Sequence, residues 1–261
     1  MTEEFEGRVA IITGGSDGIG LATACLLARR GAQVVICGRR QEKLDTARAA
    51  IDAASGPNGR QAEAIRLDVS DNDALAAMIE EVADRYGRLD MLVNNAMSTH
   101  YAPISRLTID HWRKDFAVNA DAVFVATKAA MKVMAAAGGG AIVNIASTCG
   151  IRATVNMASY SASKAALVHF TAAAAMEGAP LGIRVNAIVP GQVQTAGTEE
   201  FTARAPEVAA RTTDAIPMRR GGRPEELAEA IVFMLSDAAS YITGTALPVD
   251  GGKAAQLYMP A

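Results

Sequence analysis

The sequence predicts a single doubly wound α/β domain, in which helices cover both faces of a parallel sheet. Short apolar segments typical of strands alternate with longer segments of helical periodicity along the whole chain. This alternation is typical of parallel sheets. No linker rich in proline and serine divides the 261 residues, so one domain over 1–261 is favoured over two.

The first strand, helix and connecting turn form one unit. An apolar strand is predicted at 9–12 and a helix at 21–30, and the glycine-rich turn 14–20 joins them. Glycines at this spacing allow a tight turn, close approach of a pyrophosphate to the backbone and close packing of helix on strand. A plain strand-to-helix turn is the alternative until the next strand is considered.

The second strand, 33–37, ends at Gly38, Arg39 and Arg40, where an NAD-binding protein usually has a carboxylate for the ribose 2′-hydroxyl. A small residue followed by arginine leaves room for a 2′-phosphate and places charge opposite it. NADP(H) is therefore the favoured cofactor, with NAD(H) as the alternative. The two arginines could instead simply begin the solvated helix that follows.

The remaining elements continue the alternation. Strands are predicted at 62–67, 89–93, 141–146, 183–189 and 246–249, and helices at 41–54, 71–86, 110–137, 158–176 and 224–235, with a turn at 55–59. Residues 192–222 lose periodicity and gather Gly, Pro and Thr. A loop of that length in a compact domain is usually functional, and we expect a lid over the site.

A Ser, a Tyr and a Lys follow the central strand. Ser147 ends the strand at its carboxyl edge, where open α/β sheets bind ligands, and Tyr160 and Lys164 are one helical turn apart. Free tyrosine titrates near pH ~10, and a cation ~5 Å away at an effective dielectric of ~20 lowers the phenol pKa by about two units. Tyr160 would then exchange a proton near neutral pH. A Tyr and a Lys at this spacing also occur by chance in helices.

Composition excludes several classes of partner and site. The net charge is −3 with scattered Lys and Arg, which argues against nucleic acid and anionic membrane. The N-terminus is acidic without an apolar core, so neither a signal peptide nor a membrane span is expected. Three cysteines without Cys-x-x-Cys spacing fit a cytoplasmic location, and no metal site is expected.

Several motifs in order resemble those of the short-chain dehydrogenase/reductase family. They are Thr13 to Gly20, Asp68, Asn94-Asn95-Ala96, Asn119, Ser147, Tyr160 with Lys164, Pro190-Gly191 and Asp250-Gly251-Gly252. The resemblance covers nearly the whole chain. It implies a Rossmann-type fold with seven parallel strands, a small-molecule carbonyl or alcohol substrate, and a homotetramer or homodimer.

The resemblance also implies roles for individual residues. Tyr160 would be the general acid in reduction and the base in oxidation, and Ser147 would bind the substrate oxygen. Lys164 would lower the Tyr160 pKa and hold the nicotinamide ribose, and Asn119 would hold a water that links Lys164 to solvent. The candidate cofactor contacts are Gly14, Ser16, Asp17, Gly18, Ile19, Gly20, Arg39, Arg40, Asp68, Val69, Asn95, Ala96, Tyr160, Lys164, Pro190, Gly191, Val193 and Thr195.

Two positions depart from the family pattern. Met97 stands where a glycine usually follows Asn-Asn-Ala, so the local backbone is in question and a thioether is expected at the substrate wall. Asp17 stands where NADP-dependent members often carry a basic residue, which leaves Arg39 as the main indication of NADP(H).

The substrate is not identified by these residues. The candidate wall residues are Met97, His100, Cys149, Arg152, Met157, Gln192 and Met218, and their apolar lean suits a hydrophobic ketone, a steroid-like ring or an acyl thioester. The alternatives to an NADP(H)-dependent carbonyl reductase are a β-ketoacyl thioester reductase, an NAD-linked alcohol or polyol dehydrogenase, and a non-catalytic cofactor sensor.

Overall fold

Seven parallel strands form one sheet in the computed structural model, which describes residues 4–56 and 59–256. The strands are β1 (Val9–Thr13), β2 (Gln33–Gly38), β3 (Glu63–Arg66), β4 (Met91–Asn94), β5 (Gly140–Ile145), β6 (Ile183–Pro190) and β7 (Ala246–Val249). Their order is β3-β2-β1-β4-β5-β6-β7. The predicted α/β fold class and the seven-stranded parallel sheet are confirmed.

Helices lie on both faces of this sheet. They are α1 (Gly18–Arg29), α2 (Gln41–Ser55), α3 (Asn72–Tyr86), α4 (Ile109–Phe116), α5 (Ala122–Ala136), α6 (Ala158–Gly178), α7 (Ala196–Arg204), α8 (Pro206–Asp214) and α9 (Pro224–Leu235). Helices α1, α2 and α9 pack against one face, and α3, α5 and α6 against the other. Alternate residues of β1 enter the two cores, with Ile12 in the first and Ile11 in the second, as the two-residue period of a strand requires.

Strand order reverses between β1 and β4, which pair in parallel with Thr13 opposite Asn94. At such a reversal the connections leave in opposite directions, so a crevice opens beyond the carboxyl ends of the strands. The glycine turn after β1 and the Asn-Asn-Ala segment after β4 both lie at this crevice. The fold therefore brings two of the predicted motifs together although they are about 80 residues apart in sequence.

Three of the predicted elements differ from the structure. The segment 192–222 contains α7 and α8, so its interpretation as an aperiodic loop is wrong; each helix has only nine residues, and Pro206 begins α8 instead of interrupting structure. The single helix expected at 110–137 is divided by a π-helical turn, Ala117–Asp121. Helix α1 begins at Gly18, inside the expected turn. Pro57 and Asn58 of the predicted turn lie outside the described residues.

Candidate active site

The glycine turn packs tightly against the segment that follows β4. A Cβ added at Gly20 would lie 2.5 Å from both Asn95 Nδ2 and the Gly14 carbonyl oxygen, so only glycine fits there. Asn95 Nδ2 donates to the carbonyl oxygens of Thr13 at 3.1 Å and Gly14 at 2.9 Å. Gly14 itself has a φ of +64°, which favours glycine. Asn95 therefore fixes the main chain of the turn that precedes the N-terminus of α1.

A cleft of about 430 Å³ opens beside this turn. Ten residues that the sequence predicted to contact cofactor or substrate line this cleft: Gly14, Ser16, Asp17, Arg39, Arg40, Asp68, Val69, Ala96, Met97 and His100. The cleft is also lined by Gly38, Leu67, Ser98, Thr99, Lys114 and Val118. The other predicted cofactor residues lie outside this lining. Among them, Thr195 lies against Gly18, and Gly191 packs against the backbone of Asp250. Val193 pairs with Gly222 in an isolated bridge.

Cations are concentrated at one end of the cleft. The Arg39 side chain is 67% exposed and its nearest carboxylate oxygen, on Asp68, is 4.0 Å away, so the guanidinium is available to a ligand. Lys43 Nζ donates to Asp17 Oδ2 at 2.6 Å, and this hydrogen bond holds the pKa of the Asp17 carboxyl below its usual value. The same carboxylate caps α1 by accepting from Gly18 N. Lys43 was not singled out from the sequence, because it is one of several cations on an exposed helix.

The Ser, Tyr and Lys lie where the sequence placed them. Ser147 follows β5 and accepts a hydrogen bond from Cys149 N at 3.1 Å, while Tyr160 and Lys164 lie on α6 and are almost completely buried. Lys164 Nζ donates to the Ile145 carbonyl oxygen at 2.6 Å and is 5.9 Å from the centroid of the Tyr160 ring. A phenol, a hydroxyl and an amine therefore meet at the carboxyl end of β5.

The pKa shifts of this pair run against the expectation from their spacing. Burial raises the pKa of Tyr160 to about 12, which the Ser147 hydroxyl opposes and Cys149 reinforces. Burial lowers the pKa of Lys164 to about 7. Desolvation disfavours the charged form of each group, and it is the largest cause of both shifts. The expected lowering of the phenol pKa by Lys164 is therefore wrong for the structure described.

Asn119 lies in the π-helical turn and is fully buried. Its amide donates to the Ser98 carbonyl oxygen at 2.8 Å and to Ser163 Oγ at 3.0 Å, and its oxygen accepts from Ser98 N at 2.9 Å. These bonds tie the segment after β4 to α6. The Asn119 side chain thus positions a wall of the cleft.

The predicted substrate residues are spread over three segments. Met97 is 52% exposed and lines the cleft, and its backbone is ordinary, because the described residues other than glycine with positive φ are Asn156 and Arg219. Cys149 and the exposed Arg152 lie between β5 and α6. Met157 pairs with Ala102 in an isolated bridge. The buried Gln192 Oε1 has no hydrogen-bond partner among the described residues.

Asp115 was missed by sequence reasoning, although its carboxylate is completely buried. It accepts hydrogen bonds from Ser98 Oγ at 2.9 Å and Ser159 Oγ at 2.6 Å, and it lies 2.7 Å from His100 Nδ1. In the sequence it stands between Lys114 and Phe116 in a mostly polar helix, so no local pattern distinguishes it from a solvated carboxylate.

Comparison with known proteins agrees with this geometry. A family model described as enoyl-(acyl carrier protein) reductase matches residues 14–254. The chain belongs to the short-chain dehydrogenase/reductase family. It is an oxidoreductase of this family, with relatives that act as dehydrogenases and reductases.

Three relatives of this short-chain dehydrogenase/reductase match over nearly full length. Cis-4-hydroxycyclohexanecarboxylate dehydrogenase of Sinomonas cyclohexanicum is 43% identical over 98% of this chain and 100% of the relative. The 2,5-dichloro-2,5-cyclohexadiene-1,4-diol dehydrogenase of Sphingobium indicum is 41% identical over 97% of this chain and 98% of the relative. The 3-oxoacyl-(acyl-carrier-protein) reductase of Thermotoga maritima is 38% identical over 95% of this chain and 98% of the relative.

Solved structures of similar proteins contain either nicotinamide dinucleotide. A putative gluconate 5-dehydrogenase from Beutenbergia cavernae with bound NADP has a TM-score of 0.91 and 39% identity, over 98% of this chain and 100% of that one. An NAD⁺-bound xylitol dehydrogenase has a TM-score of 0.90 and 32% identity, over 95% of this chain and 100% of that one. These likenesses support a nicotinamide cofactor for this short-chain dehydrogenase/reductase.

The residues at the cleft fit such a dinucleotide. Its pyrophosphate requires backbone donors and positive charge, which the N-terminus of α1 and the cations along the cleft provide. Thr99, which lines the cleft, has a buried hydroxyl without a hydrogen-bond partner among the described residues, and a polar ligand atom would satisfy it. Within residues 4–56 and 59–256, no group of three or more His, Cys, Asp or Glu side chains is arranged to hold a metal ion, and no helix there is long and apolar enough to cross a membrane.

Proposed function

We propose that the protein is an NADP(H)-dependent oxidoreductase that interconverts a ketone and a secondary alcohol, with Tyr160 as the general acid and base. The buried Tyr160, Lys164 and Ser147 at the end of β5, together with the cleft of about 430 Å³ beside the glycine turn, carry this proposal. When bound, the dinucleotide supplies or accepts the hydride. All other steps belong to side chains of this chain.

Each member of the proposed catalytic set has a separate task. Ser147 donates a hydrogen bond to the substrate oxygen as negative charge develops on it, and Tyr160 gives that oxygen its proton in reduction. Lys164 would hold the ribose hydroxyls of a bound dinucleotide by donating hydrogen bonds to them, which would favour its charged form. Only in that charged form would Lys164 lower the pKa of the phenol. Asn119 would hold the proposed water next to Lys164 through its backbone, because its amide already binds Ser98 and Ser163.

Preference for NADP(H) over NAD(H) is proposed from the charges at the end of β2. Gly38 offers no carboxylate to a ribose 2′-hydroxyl, and the exposed Arg39 guanidinium can form a charge-assisted hydrogen bond with a 2′-phosphate. The negative charge of Asp17 is neutralised by its ion pair with Lys43. The departure at Asp17 therefore does not oppose binding of a 2′-phosphate.

A six-membered ring carrying a second polar substituent is the proposed substrate class. Two relatives above 40% identity act, by their names, on cyclohexane or cyclohexadiene alcohols with a polar group at the opposite ring position. The exposed Met97 supplies an apolar surface suited to a ring. A non-catalytic cofactor sensor would not require the buried Ser147, Tyr160 and Lys164 together.

A screen of NADPH oxidation tests this function. Cyclohexanone, 4-hydroxycyclohexanone and 4-oxocyclohexanecarboxylate should be reduced, and NADPH should be favoured over NADH in kcat/KM. Binding of NADPH without reduction of any of these ketones would contradict the proposed reaction, and preference for NADH would contradict the cofactor assignment and favour the NAD-linked dehydrogenase.

A β-ketoacyl thioester reductase is the second candidate, favoured by the 38% identity to 3-oxoacyl-(acyl-carrier-protein) reductase. It predicts reduction of acetoacetyl thioesters with a kcat/KM above that of the cyclic ketones. Absence of thioester turnover would remove this candidate and leave the ring ketones.

The segment 192–222 is proposed as a lid, and the protein as a cytoplasmic homotetramer or homodimer. Helices α7 and α8 lie within this segment, and the Met218 side chain on it is exposed. The cytoplasmic proposal rests on the three free cysteines. Sedimentation of the purified protein tests the oligomeric state.

A further inference from the structure

The buried carboxylate of Asp115 lies next to the cleft but outside the proposed catalytic set. Burying a charge costs free energy unless hydrogen bonds replace its hydration, and three side chains surround this one. Two are serine hydroxyls, from Ser98 and Ser159, and the third is the His100 ring, with Nδ1 2.7 Å from Oδ1. Such an arrangement fixes the orientation of the histidine.

The His100 ring is held from two sides. Its Nδ1 faces Asp115, and its face stacks on His111 with ring centroids 4.3 Å apart and planes 14° apart. Within the described part of the chain, Nε2 has no hydrogen-bond partner, and the His100 side chain is 22% exposed and lines the cleft. A positioned imidazole therefore presents one nitrogen for a ligand.

This imidazole is anchored to the helix that carries Tyr160. Asp115 Oδ2 accepts from Ser159 Oγ at 2.6 Å, and Ser159 directly precedes Tyr160. The segment with His100 also joins the loop before α6, because Ala102 N donates to the Asn156 carbonyl oxygen at 3.0 Å. His100 and the reacting end of the site thus share one wall.

We propose that His100 is a specificity-determining residue whose Nε2 hydrogen-bonds an oxygen on the substrate ring remote from the reacting carbon, and that Asp115 is its positioning residue. This inference rests on the proposed reduction of ring ketones. A neutral imidazole with Nδ1–H donated to Asp115 accepts from a hydroxyl at Nε2, and a protonated imidazole donates to a carboxylate. Both substituents share a polar oxygen that an unsubstituted ring lacks.

Two substitutions separate this role from a structural one. His100→Asn places an amide nitrogen near the position of Nδ1, so it retains the bond to Asp115 but removes the group at Nε2. His100→Gln extends an amide toward the position of Nε2 and should partly restore substrate binding. KM and kcat are measured for cyclohexanone, 4-hydroxycyclohexanone and 4-oxocyclohexanecarboxylate, together with the Kd of NADPH.

The expected result is selective. His100→Asn should raise KM for the hydroxylated or the carboxylated ketone about tenfold, the typical effect of one lost hydrogen bond. KM for cyclohexanone, and the Kd of NADPH, should stay within about twofold of the wild type. The ketone that responds identifies the substituent as a hydroxyl or a carboxylate.

Four results would overturn the inference. Equal changes for all three ketones would assign His100 a structural role, and a weaker NADPH Kd in His100→Asn would assign it to the cofactor. If the wild type reduces all three ketones and His100→Asn changes none of their KM values, only this inference fails and the proposed function stands. If the wild type reduces none of them, the proposed function fails and the inference falls with it.

Discussion

The proposed cofactor end and the proposed substrate end of the site are built by different means. At the cofactor end, backbone turns follow β1, β2 and β4, and Gly20 lies too close to Asn95 for any side chain. At the proposed substrate end, side chains project from loops, including the exposed Met97 and Arg152. A cofactor site made of main chain tolerates few changes, whereas a wall of loop side chains can be altered without disturbing the sheet. Substitutions at each end test this separation.

Removal of the Tyr160 hydroxyl should give the largest effect. Tyr160→Phe removes the proton donor but leaves the buried ring in place, so kcat should fall about 1000-fold, as expected for loss of a general acid. The Kd of NADPH should change little, because the cofactor end is built separately. Steady-state kinetics and fluorescence titration measure the two quantities.

The exposed Tyr101 provides a matched control. Tyr101→Phe removes the same hydroxyl outside the proposed catalytic set and should keep wild-type kcat. A wild-type rate in Tyr160→Phe would refute the proposed mechanism.

The buried Lys164 should make stability depend on pH. Its pKa is about 7 in the folded protein and near 10.5 when unfolded, so between these values the unfolded state binds more protons. The free energy of unfolding therefore rises with pH through this window. From pH 7 to pH 9 the wild type should gain about 2 kcal/mol relative to Lys164→Met, measured by urea unfolding without cofactor.

Above pH 10 the raised pKa of Tyr160 acts in the opposite direction, because the folded state then retains the extra proton. Measurements are therefore kept below that pH. Parallel pH profiles for wild type and Lys164→Met would show that Lys164 is not desolvated as described.

The smallest effect is expected at Arg39. Arg39→Ala removes a charge-assisted hydrogen bond to the 2′-phosphate, so the Kd of NADPH should rise about tenfold while that of NADH stays unchanged. Ketone KM at saturating NADPH should also be unchanged if the two ends are separate. An equal rise in Kd for NADPH and NADH would indicate that Arg39 contacts a part of the cofactor that is common to both dinucleotides.

The comparison of the two ends also explains what the sequence revealed. The glycine turn and Ser147 each follow a predicted strand, and Tyr160 and Lys164 share the next predicted helix, so the order of elements was enough to place them although each pattern alone also occurs by chance. Helices α7 and α8 are too short for their periodicity to stand out. The links of Asp115 to His100 and Ser159, and of Lys43 to Asp17, depend on tertiary contacts across 15 to 44 residues, which no local pattern encodes.

Tyr160 was located correctly, but its environment was not. Its distance along the helix from Lys164 indicated attraction between the two groups, whereas the folded chain removes both from water. Burial is set by packing of α6 against the sheet, and spacing along one helix does not report it.

Transfer of deuterium from labelled NADPH directly tests whether the protein moves a hydride from the cofactor to a ketone with Tyr160 as the proton donor. Cyclohexanone is incubated with the protein and NADPH carrying deuterium at either face of nicotinamide C4, and the cyclohexanol is analysed by mass spectrometry. We expect one deuterium at the carbinol carbon from one of the two labelled cofactors, and almost no product with Tyr160→Phe. Unlabelled cyclohexanol from both cofactors, or equal product from Tyr160→Phe, would contradict this mechanism.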